Sequence, residues 1–203
     1  MHRILTYLSL LLALLYSTYF YYYAGAIFWV FDSLIYLLVG ILLSISMLVI
    51  VLRNRKPEKV RILKMELVIV VCVSALSLMY GHSITEHVDW ACRKNTRKQI
   101  VEMVKLEMLK PNVTYNDEVC HLYQWSVPPI SNSGNDILIK RSGDKHFTIT
   151  FFIDRGILGS YTAFIYTNNS TTISMYNDNI DNDKGLCCSQ KLEENWYRVS
   201  SSD

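Results

Sequence analysis

Cysteine and histidine are the side chains here with the most chemical scope, five of each in 203 residues, and their spacing argues against most of it. Cys120 and His121 are adjacent, which on a strand sends them to opposite faces and separates a nucleophile from its base. His82 and His87 are five apart and fall on different faces of a helix, so they do not converge on a metal. Asp178, Asp181 and Asp183, interleaved with Asn177, Asn179 and Asn182, have the composition of a calcium loop but lack the terminal Glu of an EF-hand, and read as a polar surface loop. His121 and His146 read as ordinary strand residues. Phosphate-binding loops, serine nucleophile elbows and paired catalytic acids are all missing. These features imply no catalytic centre and no cofactor, with no small-molecule substrate evident. A net charge of +2 is too small to suggest a nucleic-acid partner.

Disulfide chemistry fits better. Cys72 lies in an apolar run and reads as a small apolar residue of it, while Cys92, Cys120, Cys187 and Cys188 all follow that run. An even number in one segment fits bridges in an oxidising compartment. Adjacent cysteines bond each other poorly, so Cys187 and Cys188 are expected to reach separately to Cys92 and Cys120.

Which compartment that is depends on the stretch Arg53 to Lys64. Arg53, Arg55, Lys56, Lys59, Arg61 and Lys64 are opposed there by Glu58 alone, and Pro57 interrupts any helix running through. Apolar runs flank it on both sides, and short loops rich in Lys and Arg stay in the cytoplasm. Residues 4–23, 27–52 and 62–80 then read as three transmembrane helices, a membrane domain of residues 1–81. The amino terminus is cytoplasmic and everything past Tyr80 is outside. A cleaved signal peptide competes for the first run, with Ala24-Gly25-Ala26 as its cleavage site, but the run is longer than a usual signal core. Asp32 reads as interfacial beside Trp29. Gly40, Ser44 and Ser46 offer a small-residue face for helix packing, and Lys64 and Glu66 are expected to snorkel.

Residues 82–203 read as an extracytoplasmic α+β domain. Ile100, Val101, Val104 and Met108 recur at helical spacing, with Ser83 or Thr85 as the start and Pro111 as the stop. Arg93, Lys94, Arg97 and Lys98 read as a solvated basic patch on that helix. Strand-like runs follow at 119–127, 137–141, 146–153, 157–167 and 172–176, separated by Asn-, Gly- and Ser-rich turns. Alternation of Phe147, Ile149, Phe151 and Ile153 with Thr148, Thr150 and Phe152 gives one buried face. The expected fold is thus three transmembrane helices followed by a helix packed on an antiparallel β-meander, with a strand-poor tail from Asn177. Asn112-Val113-Thr114 and Asn168-Asn169-Ser170 match glycosylation acceptors.

The partners implied are the lipid bilayer and another protein. Tyr123 and Trp125 on the first strand, and Tyr161, Phe164 and Tyr166 on the longest, could present rigid rings of the kind enriched at binding hot spots. The leading expectation is a multi-pass protein of a bacterial inner membrane whose periplasmic domain binds a protein, as an immunity protein does against an envelope-acting toxin. A structural or assembly subunit of an inner-membrane complex is the alternative, and a membrane-surface enzyme the third reading.

Overall fold

A computed structural model describes residues 2–23, 29–53, 57–123, 127–132, 134–143, 146–155, 160–181 and 190–201. The chain combines helices with an antiparallel sheet, and three of its helices are long and apolar enough to cross a membrane. It forms two compact units, residues 1–21 with 27–88 and residues 22–26 with 89–203.

The first unit holds α1 (His2–Tyr23), α2 (Trp29–Arg53) and the first part of α3 (Pro57–Lys105). Small residues let α1 and α3 approach closely. A Cβ added at Gly81 would lie 2.2 Å from the Ser17 Cβ, so no larger residue fits without moving a helix. Around that contact Ser17 Oγ and Ser77 Oγ are 3.0 Å apart, Ser77 Oγ donates to the Ala13 carbonyl at 3.1 Å, and Thr85 Oγ1 donates to the Ser17 carbonyl at 2.9 Å. These bonds satisfy hydroxyls that hydrocarbon would not. Glu66 does not depend on snorkelling alone: Arg3 is 3.3 Å away and the Tyr7 hydroxyl donates to it at 2.8 Å. The small residues of α2 divide, with Ser46 buried and donating to the Leu42 carbonyl at 2.8 Å, whereas a Cβ at Gly40 would meet nothing within 4 Å.

α3 departs from the expected break after Tyr80. Its 49 residues form one helix, about 73 Å long at 1.5 Å per residue, and supply both units. Gly81 alone is too weak a breaker to stop it, and Pro111 does not end it. The stop is a Schellman turn with Glu107 at φ 58°, where Met108 N–H donates to the Met103 carbonyl at 2.9 Å and Glu107 N–H to the Val104 carbonyl at 3.1 Å.

In the second unit six strands pair antiparallel in the order β1-β2-β3-β4-β6-β5: β1 (Val119–His121), β2 (Asp136–Ser142), β3 (His146–Arg155), β4 (Tyr161–Thr167), β5 (Gln190–Glu193) and β6 (Trp196–Ser201). The first four form the expected meander, and the tail departs from expectation by adding a hairpin whose second strand lies beside β4. Asn195, at φ 63°, turns that hairpin. Thr172–Tyr176 is not a strand but part of α4 (Ser170–Asp181). Asn169 caps it, its Oδ1 accepting from Thr171 N–H at 3.0 Å, and Ile173, Tyr176 and Ile180 fall at helical spacing. The Asp178 and Asp181 stretch is therefore helix rather than loop.

Two helices sandwich the sheet. One face carries Ile137, Ile139, Ile149, Phe151 and Phe164, all buried, and α3 covers it, with the Trp90 ring 5.0 Å from Phe164, Arg97 over the same ring, and Ile100, Val101 and Val104 buried as well. The other face presents Phe152, Ala163, Ile165, Tyr197 and Val199 to Tyr176 and Ile180 of α4. Because both faces are covered, Phe151, Phe152 and Ile153 are buried in succession, and the single buried face expected of β3 is corrected to two.

Candidate functional site

Where α3 enters the second unit, Asp89, Arg93 and Arg97 stand at four-residue intervals along one face. Asp89 and Arg97 are each 2% exposed. Arg97 Nη2 donates to Asp89 Oδ2 and to the Ile130 carbonyl at 3.1 Å, while its guanidinium lies 4.6 Å over the Phe164 ring. Arg93 Nη1 donates to Asp89 Oδ1 at 3.0 Å and to the Pro129 carbonyl at 2.6 Å, and Nη2 donates to the Pro128 carbonyl. One buried carboxylate thus orients two guanidiniums that hold the 128–130 carbonyls. The expected solvated basic patch is corrected: Arg93 and Arg97 turn inward, and Lys94 and Lys98 clasp Glu193 at 2.8 and 2.5 Å. Hydrogen bonds from Lys94 and then Lys98 hold the Glu193 carboxyl below its ordinary range.

The loop held in this way leads to the most chemically pointed constellation among the described residues, at the β1 edge. His121 Nδ1 lies 2.6 Å from Asp136 Oδ1, and Arg155 Nη1 lies 4.0 Å from Asp136 Oδ2. Asn112 brackets the backbone of His121, Nδ2 donating to its carbonyl at 2.9 Å and Oδ1 accepting from its N–H at 2.7 Å. Arg155 lies 3.7 Å over the Phe152 ring. Desolvation pushes its guanidinium below the ordinary value, opposed by the Asp136 carboxylate and by Tyr115. The Tyr123 ring meets the His121 ring edge-on at 4.4 Å and is 77% exposed, and Tyr115 is 76% exposed. Arg155, Asp136, His121 and Tyr123 form one chain of neighbours, with the backbone of His121 held by Asn112.

The expected recognition rings scatter. Tyr123 is on the surface, and Trp125 lies outside the described residues. Phe164 is 1% exposed beneath α3, 5.0 Å from the Trp90 ring, and is a core residue. Tyr166 shares that face and is half-buried, its ring 5.4 Å from Trp196. Tyr161 lies half-buried on the α4 face, 5.7 Å from Phe152. Among the described residues of that set, Tyr123 alone, in the turn that follows β1 rather than on the strand, is brought beside the His121–Asp136 pair. Sequence reading did not join His121 to Asp136 because the pairing of β1 with β2, which sets them opposite each other, is a tertiary fact.

Of the cysteines, Cys72 and Cys92 are exposed, Cys120 is fully buried, and Cys187 and Cys188 lie outside the described residues. Burial, then Asp136, pushes the Cys120 thiol up to about 11, making it a protonated core sulfur and a poor nucleophile. His82 and His87 diverge as expected, His82 Nε2 lying 2.9 Å from the Tyr16 carbonyl and His87 Nδ1 2.7 Å from the Ser83 carbonyl. The glycosylation acceptors have structural duties: Asn112 brackets β1, and Asn168 Oδ1 accepts from Phe147 N–H at 2.7 Å. Among the topology residues, Arg53 ends α2, and Lys59, Arg61 and Lys64 occupy the opening turns of α3. Arg55 and Lys56 lie outside the described residues. No protein-family model matches the chain, and neither a curated protein nor a solved structure is detectably similar to it.

Proposed function

We propose that this is a multi-pass protein of a bacterial inner membrane whose carboxy-terminal domain stands in the periplasm and captures another protein, as an immunity protein captures an envelope-acting toxin. The observation that carries the reading is Tyr123, a large ring left 77% exposed and backed by the His121 ring, which Asp136 and the Asn112 bonds to the His121 backbone hold in place. An exposed aromatic on a rigid support makes an effective anchor, because little side-chain freedom is lost on binding. Tyr115 and Arg155 extend the same surface with the residue types enriched at hot spots. In a pull-down on detergent-solubilised protein, Tyr123→Ala is expected to weaken partner capture by at least about 2 kcal/mol, roughly thirtyfold, with the unfolding midpoint unchanged. Undiminished capture would remove the proposed anchor.

Two other readings have an observation each. The open face of α2 at Gly40 suits a partner helix in an assembly subunit. The Asp136–His121 hydrogen bond would suit a general base in an enzyme at the membrane surface. Loss of activity in His121→Ala with capture intact would favour that enzyme.

Placement outside the cytoplasm carries a redox expectation. Cys92 is exposed on α3, whereas Cys120 is sealed in the core. Non-reducing peptide mapping of freshly alkylated protein is expected to find Cys92 bonded to one of the adjacent pair. Closing the loop of about 95 residues from Cys92 to Cys187 stabilises by about 4.7 kcal/mol in the chain-entropy model. Free thiols at all three positions would contradict the bridge.

A further inference from the structure

Pro57, Val60, Arg61 and Lys64 line an open depression of about 430 Å³ on the opening turns of α3. Their spacing of three, one and three places all four on one helix face, so the two cations converge over a wall of Pro57 and Val60. Among the described residues Arg61 and Lys64 make no ion pair, Glu58 being joined to neither and Glu66 being taken by Arg3 and Tyr7. Exposed Met65 and Val68 continue that side of the helix into the uncharged run Leu67 to Tyr80. Two such cations above an apolar wall, at the point where a helix becomes apolar, complement a ligand with a negative head and a hydrocarbon body.

We infer that this depression binds the phosphodiester headgroup of an anionic membrane lipid, with Arg61 and Lys64 holding the phosphate oxygens and Met65 and Val68, one turn further along α3, against the acyl region. Arg61 supplies the planar fork that matches two phosphate oxygens, and Lys64 a point charge from one turn deeper. A free phosphate ion would find the same charges, but it has no use for the apolar neighbours. The inference rests on reading α3 as a membrane span, though not on which side the loop faces.

The test uses the full chain in nanodiscs of phosphatidylcholine containing a minority of phosphatidylglycerol, with retained lipid counted by native mass spectrometry. The wild type is expected to retain phosphatidylglycerol well above its bulk share. Arg61→Gln and Lys64→Gln should each reduce that enrichment about fivefold, and Lys59→Gln, outside the depression, should leave it within about twofold. Retention in bulk proportion would overturn the site while leaving the span reading intact. An equal drop in Lys59→Gln would reduce the effect to diffuse surface charge, and displacement by soluble glycerol phosphate would replace the lipid with a free anion. A chain that does not enter nanodiscs at all would defeat the span reading itself.

Discussion

Replacing Asp89 with Ala is expected to destabilise the 89–203 unit by about 3–5 kcal/mol, the largest loss expected of any single charged residue in it. The size follows from burial rather than from the ion pairs as such. Removing the carboxylate leaves Arg97, 2% exposed, as a buried cation deprived of its anion, and also releases Arg93 Nη1. Both guanidiniums would then hold the 128–130 carbonyls without a fixed origin. Chemical unfolding followed by tryptophan fluorescence is the direct measurement, since the Trp90 and Trp196 rings meet edge-on 5.2 Å apart beside the same core. A loss under about 1 kcal/mol, the ceiling for exposed pairs, would show that water reaches the cluster.

Phe164→Ala should have a comparable effect for a different reason. The ring is 1% exposed between Arg97, Trp90 and the Phe151 position across the strand pair, so truncation opens a cavity that the helix and sheet cannot both close. Phe-to-Ala changes in such positions cost about 3–5 kcal/mol. Tyr123→Ala, at an exposed site, is expected to change stability by no more than about 0.5 kcal/mol. The pair separates core aromatics from surface ones: if Phe164→Ala left the unfolding midpoint in place, the packing of α3 on β4 described above would be wrong.

What the sequence disclosed and what it hid divide along a physical line. The apolar runs, the basic interruption at Arg53 to Lys64 and the alternation through Ile137 to Thr167 are local patterns, and the helices and the meander strands lie close to where those patterns placed them. The failures come from contacts distant in sequence. Gly81 looked like a boundary, yet it is where Ser17 of α1 makes closest approach, and the helix continues through it. Thr171, Thr172 and Ile173 favour strand by propensity, but the Asn169 cap and the buried Tyr176 override them. One signal was legible and was missed: Asp89, Arg93 and Arg97 at four-residue intervals beside Trp90 describe an inward ionic stripe rather than a solvated patch. The surface around His121 needed the β1–β2 register and could not have been read from spacing alone.

The central claim is that a domain beginning near Asp89 is carried outside the cytoplasm by an unbroken helix whose apolar half crosses the bilayer. Protease added to intact spheroplasts tests it most directly, with an antibody against the carboxy terminus as the readout. The account predicts loss of the carboxy-terminal epitope from intact spheroplasts, with the Arg53–Lys64 loop cut only after the membrane is permeabilised. A protected carboxy-terminal domain together with an accessible basic loop would contradict it.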